Sequence, residues 1–169
     1  MCAEILLLIN RFRCQVFCFF CCGLISFLLV SCQVSSNSIQ TDIWSAQVTR
    51  VINGQTIEVT IPERGLSDQR VRILGLDLAA LPDQSWRDGA KIRLQELIAN
   101  QVVRLELETS DPDGYHRLLA HVWRNNILIS EQLAKEGYVL ANGKYPHKYS
   151  DRLVYAQEYA RTLDYGMWQ

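Results

Sequence analysis

Beyond position 32 this 169-residue chain has no cysteine: Cys2, Cys14, Cys18, Cys21, Cys22 and Cys32 account for all six. A disulfide framework and a cysteine-based metal site are therefore excluded from everything downstream. Histidine is scarce too. His116, His121 and His147 show none of the tight spacing of zinc ligands, and all three read as surface residues. Nor is there an excess of positive charge, with 17 Lys and Arg against 18 Asp and Glu. Proteins that draw their affinity from phosphates usually carry a basic stripe, so composition leans against a dedicated nucleic-acid binder. Internal repeats and low-complexity tracts are absent.

The N-terminal segment has the layout of an export signal. Arg11 and Arg13 precede an apolar run from Val16 to Val30. That run is short for a membrane span, which needs about 20 apolar residues. It ends in Leu29-Val30-Ser31-Cys32, which resembles a bacterial lipobox, where cleavage precedes a lipid-bearing cysteine. The expectation is a lipoprotein signal over 1–31, then a lipidated Cys32 and a polar tether over 32–42. An uncleaved anchor and an ordinary cleaved signal are the alternatives, and each exports the domain. Several acyl chains on Cys32 would hold the protein at a membrane surface, periplasmic or cell-surface, since each buried methylene contributes about 0.8 kcal/mol.

Residues 43–169 fit one domain. Trp44, Ala46 and Val48 alternate with polar residues and predict a strand. Asn53-Gly54 follows, a hairpin signal of the type I′ kind. Ile57, Val59 and Ile61 predict a second strand, the stretch Pro62 to Ser67 a turn, and Val71 to Leu76 a third strand. Ser85 and Asp88 form a capping pattern ahead of a helix that carries Ala90, Leu94, Leu97 and Ile98 on one face. Val103 to Leu107 and Leu119 to Trp123 predict two more strands. Ser130 then caps a short helix ending at Gly137, and Tyr149 to Leu163 forms a longer one, with Leu163 on its apolar face and Gly166 as its stop. The fold class is an all-β barrel with helices, a five-stranded OB-fold barrel with three α-helices.

Five ordered blocks carry a resemblance to a known family. They are Val48 to Thr56, Val71 to Asp77, Asp113 to Ala120, Leu133 to Tyr138, and Gly166-Met167-Trp168. Together they resemble the staphylococcal nuclease or thermonuclease-like domain, from about Ala46 to Trp168. The resemblance implies an OB barrel with three helices and, in active members, a calcium-dependent phosphodiesterase. There a calcium ion bridges carboxylates and phosphate, a glutamate activates water, and two arginines stabilise the transition state.

Mapped onto this chain, the resemblance assigns the arginines to Arg72 and Arg117 and one metal ligand to Asp77. It also places an aromatic, Tyr145, where the family stacks a base, although Gly143 stands where another aromatic is usual. His116 replaces a customary glycine. The remaining positions depart from the pattern. Asn53-Gly54-Gln55-Thr56 stands for Asp-Gly-Asp-Thr, and Asp77-Leu78-Ala79-Ala80 for a loop ending in an acid. Amides offer carbonyl oxygen without charge, while calcium affinity follows the count of charged ligands. Loss of a general base typically costs about 10²–10⁴ in rate. Asp83, three residues past Ala80, is the nearest substitute acid; Asp42 and Glu58 are more remote candidates.

The resulting expectation is a degenerate nuclease acting as an envelope-anchored, monomeric binding module, with no cofactor, or calcium if activity survives. Its partner would be a nucleic-acid fragment, a peptide or another envelope protein. The alternatives are a weak or altered phosphodiesterase cleaving extracellular DNA or RNA, and a purely structural envelope role. For Asp77 the competing reading is capping of its own loop or pairing with Arg72; for the two arginines it is structural ion pairing. Trp168 is expected to pack the C-terminus onto the barrel.

Overall fold

Alternating apolar residues build the sheet that organises everything else. In the computed structural model, which describes residues 42–109 and 111–169, strand β1 (Ile43–Asn53) buries Trp44, Ala46, Val48 and Val51. Strand β2 (Thr56–Ile61) buries Ile57, Val59 and Ile61, and β3 (Leu66–Ile73) buries Val71 and Ile73. These three pair antiparallel as a meander. Strand β5 (Val102–Leu107) pairs with β1, and β6 (Leu118–Arg124) pairs with β5, both antiparallel. The barrel closes where β3 meets β6 in parallel, Val71 opposite Leu118 and Arg72 opposite Leu119. Two short strands, β4 (Leu76–Asp77) and β8 (Leu140–Ala141), pair outside the barrel, and β7 (Ile127–Leu128) extends its edge. The result is the expected closed five-stranded barrel. The expected leader over 1–31 and the expected tether, save its last residue, Asp42, lie outside the described residues.

Three helices complete the domain: α1 (Gln84–Ile98), α2 (Ile129–Lys135) and α3 (Ser150–Thr162). Helix α1 buries Ala90, Leu94 and Ile98, and α3 buries Leu153, Ala156 and Ala160. A fully buried aliphatic side chain contributes about 1.5–3 kcal/mol, so these short faces suffice to dock the helices.

Several local expectations are corrected. The cap of α1 is Asp83, whose Oδ1 accepts from Trp86 N at 3.1 Å; Ser85 and Asp88 lie within the helix, Asp88 accepting from Gln84. Ser130 does not cap α2. Strand β7 runs straight into that helix, which puts Leu128 at the cap position and Ser130 inside, fully buried. Leu163 ends α3 on the solvent side, 44% exposed, because the helix stops at Thr162 and the chain turns away. Strand β3 begins at Leu66, within the stretch read as turn, after a single 3-10 turn at Pro62–Arg64.

The Asn53-Gly54 hairpin is also not type I′. That turn needs positive φ at both central residues, whereas neither Gly54 nor Gln55 adopts it. Asn53 Oδ1 instead accepts from Gln55 N at 3.0 Å, a side-chain turn. Gly54 is required for another reason: a Cβ there would sit 2.7 Å from Ala90 Cβ of α1. The type I′ geometry appears at Asn125 and Asn126, with φ of 48° and 64°, between β6 and β7.

Candidate functional site

Barrel closure brings the two arginines to one cleft. Arg72 sits on β3 beside Leu119 of β6, and Arg117 immediately precedes β6. Both line a cleft of about 730 Å³ together with Gly75, Glu108, Asp113, Tyr115, Tyr145 and His147. Small-molecule sites typically measure about 300–1,000 Å³.

Arg72 is half-buried and has no carboxylate within ion-pair distance among the described residues. Its partners are neutral. With the Gln55 amide oriented to satisfy both its ends, Gln55 accepts from Arg72 Nη1 at 2.8 Å and donates to Leu76 O at 3.2 Å. Arg72 Nη2 also approaches Leu76 O at 3.4 Å. Burial, and after it the charge of Arg117, lowers the Arg72 pKa from its ordinary value. A half-buried cation is costly. Asp113 and Asp77 offset part of that cost from beyond ion-pair distance, and an arriving anion would relieve the rest.

Arg117 is held differently. Its Nη2 and Nε donate to Asp113 Oδ2 at 2.7 and 3.0 Å, while Asp113 Oδ1 accepts from the backbone of Tyr115 and Arg117. Burial alone would raise the Asp113 pKa, but the hydrogen bonds from Arg117 and Tyr115 bring it below its ordinary value. This pair, two guanidinium nitrogens on one carboxylate oxygen, is the structural ion pairing considered as the alternative for Arg117, and it fixes a planar donor at the cleft wall. The Arg117 guanidinium also lies 5.0 Å from the centroid of Tyr115. His116, in the place of a customary glycine, takes φ of 57°, so the loop keeps the left-handed backbone that a glycine would supply.

Asp77 performs the loop-capping role. Its Oδ1 accepts from Ala79 N at 3.1 Å and from Ala80 N at 3.2 Å. The loop is clamped from the other side by Arg87, which donates to the carbonyls of Leu78 and Leu81. Asp83, the substitute acid, is committed to the α1 cap. Asn53 and Gln55 line a separate depression of about 410 Å³ with Leu78, Arg87 and Lys91. Among the described residues no group of three or more His, Cys, Asp or Glu side chains converges as a metal site. Calcium takes six to eight oxygens, several of them charged. A single carboxylate already bonded to two amides, beside an amide bonded to Arg72, does not fit it.

Tyr145 lines the cleft and is 74% exposed. Tyr115, 77% exposed on the same cleft, was missed as a site residue. The signal was present, since an aromatic two residues before a phosphate-type arginine is free to flank its ligand.

The expectation of three surface histidines is corrected. His121 is 3% exposed, because its position on β6 points into a polar pocket behind the cleft. Its ring lies 4.9 Å from that of His147 and 4.7 Å from Tyr149. Burial, then the neighbouring His147, pushes the His121 pKa down to about 4, and His121 Nδ1 is buried without a partner. Buried Glu106 accepts from Trp123 Nε1 at 2.9 Å, Lys148 Nζ at 2.6 Å and the Tyr149 hydroxyl at 2.8 Å. Burial would raise the Glu106 pKa, but those hydrogen bonds outweigh it and lower the value. This network anchors the segment that carries His147 and leads into α3.

Comparison with known proteins agrees with this architecture. The family described as "Staphylococcal nuclease homologue" matches residues 54–169. A thermonuclease of Staphylococcus hyicus is 34% identical over 128 residues, 72% of this chain and 74% of the relative. A thermonuclease of Staphylococcus intermedius is similar to the same extent, 34% over 128 residues.

Proposed function

The chain belongs to the staphylococcal nuclease homologue family, and from that premise we propose that it binds phosphate-bearing ligands without cleaving them. In this reading it is a module for single-stranded nucleic-acid fragments, tethered to a bacterial envelope membrane by lipid on Cys32. The observation that carries the reading is the state of Arg72. It is half-buried at a cleft, without a carboxylate partner among the described residues, and positioned by the neutral amide of Gln55. A carboxylate at position 55 would neutralise that guanidinium unless a divalent cation intervened; glutamine leaves its charge for a ligand.

Arg117, locked by Asp113, adds a second fixed donor, and planar guanidinium matches phosphate oxygens two at a time. Tyr115 and Tyr145 offer faces for stacking, which contributes about 1–3 kcal/mol per base. The absence of a basic excess is consistent with a ligand of one or a few nucleotides rather than a long polyanion. No step of hydrolysis is assigned, since Asp77, Asp83 and Asp113 are committed to loop, cap and ion pair.

The test uses the full chain with single-stranded DNA and RNA oligonucleotides at low salt, with calcium or with EDTA. Binding is expected in both conditions, without cleavage, and Arg72→Ala should abolish it. Metal-dependent cleavage lost in Arg72→Ala would establish instead the phosphodiesterase reading. An absence of binding at low salt, where phosphate contacts are strongest, would remove the nucleic-acid version altogether.

A further inference from the structure

The cleft that holds Arg72 also holds an acid without an ion pair. Glu108 lines it, follows directly on β5, and makes no ion pair with any described residue. It is therefore more than 4.0 Å from the Arg72 and Arg117 guanidinium nitrogens, although all three groups face one space. On the opposing segment His147 is held below its ordinary pKa by burial, against which the charge of Glu108 works in the opposite direction. Asp113, the other acid of the cleft, is consumed by Arg117.

Glu108 is exposed, and a carboxylate here works against a second phosphate on this side of the cleft. A carboxylate has a different use beside stacking tyrosines. It accepts hydrogen bonds from the edge of a base, as acidic side chains do with amino groups of nucleic-acid bases. The common bases differ sharply in what they offer it. Guanine presents two adjacent donors, N1–H and the exocyclic N2 amino group, which match two carboxylate oxygens in parallel. Cytosine and adenine place an acceptor nitrogen beside their amino group. Uracil and thymine flank one N–H with two carbonyls, and those repel a carboxylate.

We propose that Glu108 reads the base of the bound nucleotide and makes the cleft selective for guanine. The phosphate then sits at Arg72 and the base lies against Tyr115 or Tyr145 with its Watson–Crick edge on Glu108. This rests on the cleft binding nucleotides as described above and adds their identity. The exposed setting of both tyrosines, 77% and 74%, leaves room for a base between cleft wall and solvent.

Calorimetric titration of the full chain with guanosine, adenosine, cytidine and uridine monophosphates, in EDTA and low salt, decides it. Guanosine monophosphate is expected to bind about tenfold or more tightly than uridine monophosphate, the discrimination typical of a bidentate base contact. Glu108→Gln should erase that gap while leaving uridine monophosphate bound as well as before or better. Equal affinities for the four, or a guanine preference that survives in Glu108→Gln, would overturn the assignment of Glu108 while leaving nucleotide binding intact. Failure of every nucleotide to bind would instead overturn both this inference and the function beneath it.

Discussion

His121 shows how a single side chain ties the pocket behind the cleft to the stability of the domain. Its folded pKa of about 4 lies below the ordinary 6.5, because charging it means burying a cation beside His147. Between those values the unfolded chain binds a proton that the folded chain refuses, so stability falls as pH drops from 6.5 towards 4. The full difference is about 3 kcal/mol at 1.36 kcal/mol per pH unit. His121→Phe keeps a ring edge for Tyr149 and deletes the unpartnered Nδ1. Denaturant titrations from pH 7 to pH 4 should show a shallower loss of stability in this variant, and an unchanged slope would refute the assignment. In the sequence His121 looked like any scattered histidine, since alternation along β6 gives its face but not what waits on that face. Gln55 was the opposite case. Its loss of charge was plain from the sequence, whereas its bond to Arg72 across the strands required the register of β2 on β3.

At the level of elements, the strands were the most legible part of the chain, because alternation is a local signal and the core needs it everywhere. The turns were less so. Asn53-Gly54 carried the strongest hairpin signature, yet its glycine answers to helix α1 and not to φ. Gly54→Ala would drive a methyl to 2.7 Å from Ala90 Cβ and force the helix off β1 and β2. Overpacking of this kind costs about 1–3 kcal/mol. A melting temperature several degrees lower is expected, with far-UV circular dichroism unchanged; an unshifted melting curve would show that α1 yields freely. Helix starts were misread for a related reason. Asp83 and Ser85 are both competent caps, and only the path of the clamped loop from Asp77 to Leu81 selects the first.

For the whole molecule, five separated sequence blocks were enough to identify the architecture, because an OB barrel leaves few other ways to place three strands, a helix and two more strands. The site was half legible. Residue types told which charges were gone, while the unpaired state of Arg72 and the sharing of one cleft with Glu108 depend on distances no linear pattern encodes. Attachment to the envelope is a separate claim carried by Cys32. Expressed with its leader in a bacterium fed labelled palmitate, the wild-type chain should incorporate label and sediment with membranes, and Cys32→Ala should do neither. Label retained in that variant would dismiss the lipoprotein reading.

The parallel seam between β3 and β6 has a consequence in time as well as in space. As the chain emerges, β1, β2 and β3 can pair as a meander while the outer edge of β3 still lacks a neighbour. Arg72 is then on a strand with an open side, and Arg117 has no fixed relation to it. Joining distant segments in parallel is among the slower events of folding, since a long loop must close before any contact rewards it. When Val71 finds Leu118, the edge is sealed and the two guanidinium groups meet in the same step. On this order of events the cleft is expected to form late, and a chain caught before that step would expose a bare strand edge, which slow protection of β3 amides in pulse-labelled hydrogen exchange would reveal.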